Sequence, residues 1–126
     1  MKKLILIVSI LLIIVVAGTI EQIHICKTLD ELEQRADEIY SLLTAGNYSD
    51  ALQSTYELSS WWESERDQLE FLCPNTDIKE IYREIGELIG SQFAQMYDDS
   101  ITRATVLKYM AKNSKNLLKF KMKNIL

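Results

Sequence analysis

From Leu4 to Ile20 the chain carries no charged side chain, and thirteen of these seventeen positions are Leu, Ile or Val. Two lysines, Lys2 and Lys3, precede the run, and acidic residues begin just after it at Glu21. As a helix the run rises about 26 Å, close to the thickness of a bilayer's hydrocarbon core. Its Leu, Ile and Val side chains favour insertion by about 4–8 kcal/mol in total. The pattern predicts a single transmembrane helix that stays attached. A cleaved leader would share the basic start, but the run is long for one and no Ala-x-Ala site follows it.

Beyond the run the hydrophobic period becomes helical. Leu29, Leu32, Ala36, Ile39 and Leu43 recur at steps of three and four, which places them on one stripe of a helix. Thr28 and Glu31 have capping-box spacing, so this helix either starts there or continues unbroken from the apolar run through Ile25. Gly46-Asn47 is a stop signal. A second helix is expected from Ser49 or Asp50 to about Leu72, with Ala51, Thr55, Leu58, Trp62, Glu65, Leu69 and Leu72 on its stripe. Pro74 ends it. A third is expected after a cap at Asn75, Thr76 or Asp77, with Ile78, Ile81, Ile85, Leu88, Ile89, Phe93 and Met96 facing inward. Asp98-Asp99-Ser100 reads as a stop followed by a fresh cap, and a fourth helix as about Ile101 to Lys112. In the last dozen residues Leu118, Phe120 and Met122 alternate with Lys119, Lys121 and Lys123, a two-residue repeat that fits an extended segment or a frayed helix end.

The expected fold class is therefore all-α, a single N-terminal transmembrane helix followed by a small antiparallel helical-hairpin bundle. Residues 1–26 form the anchor and 27–126 the body, with hairpins at about 28–73 and 76–113 and a basic tail at 114–126. One proline and four glycines in 126 residues leave few breaks, in keeping with long helices.

Charge adds a second layer. Of the formal net charge of −4, residues 21–99 hold all 18 acidic residues against five basic ones, whereas residues 100–126 hold seven basic and no acidic residues. An acidic body with a short basic end argues against nucleic acid as a partner. Tail docking onto the acidic body is expected through Lys119, Phe120, Lys121, Met122 and Lys123, with anionic lipid as the other target for these cations. The two lysines before the apolar run place the N-terminus in the cytoplasm and the body outside it, in a single-pass protein of a bacterial cytoplasmic membrane. Residues 4–20 contact lipid in this reading.

Candidate chemistry is sparse. His24 is the single histidine, no Gly-x-Ser-x-Gly or phosphate loop occurs, and no EF-hand loop gathers the carboxylates. No catalytic residue, cofactor or metal site is expected, and an enzyme is the poorest reading. Trp61 and Trp62 are the candidate partner contacts: about 100° apart on a helix, one enters the core while the other reaches its rim. A disulfide between Cys26 and Cys73 is allowed outside the cytoplasm if the hairpin brings the two together.

Four stretches, "KKLILIVSILLIIVV", "EQIHICKTLDELEQ", the Trp61-Trp62 region and the terminal "KNIL", resemble an uncharacterised bacterial family, domain of unknown function 4363. The resemblance implies a short, single-anchor, mostly helical protein and supplies no catalytic residues. The function expected from all of this is a membrane-anchored, protein-binding accessory subunit or adaptor at the cell envelope. The alternative is an extracytoplasmic ligand-sensing or metal-binding module.

Overall fold

The structure is a computed structural model of the chain. It describes residues 1–72 and 76–125, with the side chains of residues 71, 72, 76, 77, 121, 122, 124 and 125 outside the description. The described residues are all-helical, in four elements: α1 (Lys2–Thr44), α2 (Tyr48–Leu72), α3 (Thr76–Phe93) and α4 (Tyr97–Ile125). Each helix packs on two others, in the closed ring α1–α2–α3–α4–α1.

α1 is unbroken over 43 residues, so the apolar run and the first body helix are one element. Thr28 is therefore not a cap. It lies inside the helix, buried, and its hydroxyl donates to the carbonyl of His24 at 3.0 Å. Along α1 the environment changes sharply. The large apolar side chains from Leu4 to Val16 are 49–67% exposed, with no described helix against them, whereas Ile25, Leu29, Leu32, Ala36, Ile39 and Leu43 are at most 2% exposed. α1 is the one described helix long and apolar enough to cross a membrane.

Two chain reversals with the same hydrogen bonding organise the body. After α1, Asn47 N–H donates to the carbonyl of Leu42 and Gly46 N–H to that of Leu43, a Schellman closure with Gly46 at φ 81°. After α3, Met96 N–H donates to the carbonyl of Ser91 and Gln95 N–H to that of Gln92, the same closure. Here Gln95 takes the left-handed position, at φ 57°, without a glycine's freedom. This corrects the expected stop at Asp98-Asp99-Ser100. Those residues are in the first turn of α4, where the two carboxylates favour the helix dipole.

The left-handed residues, Gly46 and Gln95, are 49 positions apart, and the buried stripes repeat with the same offset. Leu29, Leu32, Ala36, Ile39 and Leu43 of α1 correspond to Ile78, Ile81, Ile85, Leu88 and Gln92 of α3. Ala51, Thr55, Leu58, Trp62 and Leu69 of α2 correspond to Ser100, Ala104, Leu107, Ala111 and Leu118 of α4. Trp62, the largest core side chain and fully buried, thus corresponds to Ala111, the pair of equivalent positions that differs most in size.

The α4 stripe explains two departures from the sequence expectation. Ser100, Ala104, Leu107, Ala111, Ser114 and Leu118 are all buried at steps of four and three, and they keep the helix going to Ile125. Alanine and serine mask this stripe in a hydropathy reading. The Leu118/Phe120 alternation belongs to a helix in which Leu118 is buried and Phe120 is 62% exposed. In α3 the period places Phe93 and Met96 inward, but they are 64% and 57% exposed, because the helix ends at Phe93 and the chain turns before either reaches the core.

Ion pairs fix the register of α4 on α1. Lys108 Nζ is 2.9 Å from Asp37, and Lys115 pairs with Asp30 and, at 3.1 Å, with Glu33. Seven residues forward on α4 match seven back on α1, so the two helices are antiparallel. Lys119 follows in this order near Cys26, whose thiol is pushed up by burial and drawn partly back by the lysine's charge.

Candidate functional site

The end of the molecule remote from the apolar run is formed by the two Schellman closures and the helix ends they join. Each closure delivers a tyrosine as the first residue of the next helix, Tyr48 for α2 and Tyr97 for α4. The repeat brings these rings together, stacked in parallel with centroids 3.6 Å apart. Beside them the Tyr56 and Phe93 rings meet edge to face at 6.1 Å. Tyr48 and Tyr56 are exposed, and Phe93 and Met96 still more so. The result is an aromatic cap open to solvent, with Asp50 in the first turn of α2 and Asp98 and Asp99 in that of α4 supplying acidic groups at its rim.

Polar groups lie beneath the cap. The Ser91 and Ser100 hydroxyls share a buried hydrogen bond of 2.7 Å, and each also donates to a carbonyl of its own chain segment, Leu88 and Met96 respectively, when its proton is so directed. Gln92 is only 5% exposed, yet neither its amide nitrogen nor its amide oxygen has a hydrogen-bond partner among the described residues. A buried, unpaired carboxamide costs about 1–3 kcal/mol. Its counterpart 49 positions earlier, Leu43, is apolar and fully buried.

A single cation gathers three carboxylates on the α3–α4 face. Arg103 Nη1 is 3.2 Å from Glu84 and also meets Glu87, while its Nε is 3.5 Å from Asp99. Glu84 is buried, and its hydrogen bond is the foremost reason the Arg103 guanidinium is held above its usual pKa. This is a clamp between helices, and it leaves no free carboxylate pair within the cluster for proton transfer. A shallow groove of about 300 Å³ on the α1–α4 face is lined by Glu33, Tyr40, Thr105, Lys108, Tyr109 and Lys112, with Lys108 already engaged by Asp37. Among the described residues no three His, Cys, Asp or Glu side chains are grouped as metal ligands would be.

Trp62 is fully buried and offers no surface to a partner, so the contact expected from the tryptophan pair narrows to Trp61. Trp61 is half-buried against the core, and the Arg35 guanidinium lies over its ring at 4.8 Å from the centroid. Cys26 is half-buried on α1, and Cys73 lies outside the described residues, as does any bridge between them. Of the expected docking tail, Lys119, Phe120 and Lys123 are exposed, and the side chains of Lys121 and Met122 are outside the description. The cations that meet α1 carboxylates are Lys108 and Lys115. His24 Nε2 is 3.7 Å from Glu65, a loose contact between α1 and α2.

The cap has no signature in the sequence pattern. Phe93 and Met96 continue the apolar period of α3 so well that periodicity assigns them to the core, and the left-handed turn at a glutamine gives no signal to the contrary. No family model, curated protein or solved structure matches the chain.

Proposed function

We propose that the protein is a membrane-tethered accessory subunit that presents its aromatic cap to another envelope protein. In this reading residues 4–20 span the bilayer, two antiparallel hairpins make the extracytoplasmic bundle, and the resemblance to domain of unknown function 4363 reflects the same layout. The cap carries the proposal. Tyr48, Tyr56, Phe93 and Met96 are exposed together at the end farthest from the apolar run, with an unpaired carboxamide buried beneath them. Exposed aromatic and methionine side chains are the groups enriched at protein interfaces. Asp50 and Asp98, in the first turns at the rim, favour a partner whose apolar recess is edged by basic side chains.

The anchor is supported by the exposure of the apolar side chains from Leu4 to Val16, which no described helix covers and which form a larger apolar surface than soluble proteins maintain. The test is photocrosslinking in native membranes from Phe93 or Tyr56. One specific adduct is expected, absent from a probe at Gln53 and lost when Asp50 and Asp98 are changed to lysine. Equal labelling from all three positions, insensitive to the charge reversal, would overturn the cap as the binding surface. Extraction of the full chain by alkaline carbonate would overturn the anchor.

A further inference from the structure

α4 runs back along α1 towards the apolar run, and its register says how far. Lys108 faces Asp37 and Lys115 faces Asp30, so the same spacing sets Lys119 level with Cys26 and Lys123 level with Gln22. At a rise of about 1.5 Å per residue, Lys123 stands about 3 Å above Ile20, the last residue of the uncharged run, and Phe120 about 8 Å above it. That interval is about the depth of the headgroup layer on one side of a bilayer, roughly 5–8 Å. Lys119, Phe120 and Lys123 are all exposed at this level, as are Ile20 and Ile23 of α1.

Resting on the anchor reading above, we propose that the last two turns of α4 form a second membrane contact, selective for anionic phospholipid. Lys119 and Lys123, one turn apart, take headgroup phosphates, and Phe120 lies between them at the outer edge of the headgroup layer. The two cations differ from Lys108 and Lys115 by position: below Asp30 the next carboxylate on α1 is Glu21, itself at the lipid surface. Elsewhere at this end the charges are mixed: Glu65, Asp67 and Glu70 on α2 and Glu80 on α3 stand beside Arg66, Lys79 and Arg83, with Arg66–Asp67 and Arg83–Glu80 as ion pairs, so the adjacent cations of α4 set the contact on one side. Long lysine side chains suit this geometry, since their stems lie along apolar surface while the ammonium reaches the phosphate.

The test uses the full chain in bilayers of phosphatidylcholine alone and of phosphatidylcholine mixed with phosphatidylglycerol, read by amide hydrogen exchange. Anionic lipid should slow exchange over residues 119–125, by about fivefold for each lysine engaged. Lys119→Gln with Lys123→Gln should abolish the difference between the two bilayers, and so should molar salt, which leaves the fold of the unaltered chain in place. Equal exchange of residues 119–125 in both bilayers, with residues 4–20 protected in both, would overturn the lipid contact alone. Unprotected exchange over residues 4–20 would overturn the anchor, and this proposal with it.

Discussion

Replacing Gln92 with leucine should make the protein more stable. The side chain is only 5% exposed, and both polar atoms of its amide lack a partner among the described residues. Leaving such a group unpaired costs about 1–3 kcal/mol. Leucine removes that cost, and the repeat shows that the site type accepts it: Leu43, the equivalent residue 49 positions earlier, is 1% exposed. With the difference in side-chain shape set against the gain, about 1–2 kcal/mol of stabilisation is expected. For a body of this size each kcal/mol raises Tm by about 4–8 °C. The assay is thermal unfolding of the full chain in detergent, followed by the helical circular dichroism signal. The cap proposal adds a second readout, since a glutamine kept at the expense of stability should be used by the partner. Gln92→Leu should therefore weaken crosslinking from Phe93 while raising Tm. A fall in Tm would refute the reasoning, because it would mean that the carboxamide is fully hydrogen-bonded, through water, in the free protein.

Gln95→Gly should stabilise the α3–α4 turn by about 0.5–1 kcal/mol, since a side chain in the left-handed region costs about 1–2 kcal/mol, part of which glycine returns as chain entropy; a denaturant midpoint that does not rise argues against the Schellman assignment. Arg103→Met should lower Tm by stranding the buried Glu84, and Glu84→Leu added to it should recover part of the loss; simple additivity of the two changes would show that the clamp is not coupled. Alkaline titration should loosen α4 from α1. Lys108 and Lys115 have raised pKa values, caused first by their hydrogen bonds to Asp37 and Asp30, so their contribution is fully present below the unfolded lysine value of about 10.4 and is lost as pH rises through the folded values. The change is read as a falling Tm above that pH, and it should be smaller in a Lys115→Met variant.

The helices are legible in the sequence wherever large aliphatic residues mark the stripe. Leu29 to Leu43 and Ala51 to Leu69 are predicted and observed on buried faces, with Glu65 only half-buried. Gly46 announces its turn because glycine is the residue that φ > 0 asks for. The equivalent turn at Gln95 is silent, and that silence conceals the start of α4 and the solvent exposure of Phe93 and Met96. The length of α4 is hidden for a different reason. Its core positions include Ala104, Ala111 and Ser114, buried side chains too small to carry much hydropathy signal. The pairing of Lys108 and Lys115 with α1 depends on register across 71 and 85 residues, which no local pattern encodes.

The continuity of α1 has a mechanical consequence. From Ile20 to Thr44 the helix advances about 36 Å, and this stretch is bound into the bundle along most of its length. If α1 spans the bilayer as proposed, no swivel separates lipid from body, and α1 acts as a ruler and a drive shaft at once. A partner of the proposed cap would then have to meet the stacked Tyr48 and Tyr97 at one fixed altitude, and any tilt or rotation imposed on the span would arrive there as a displacement.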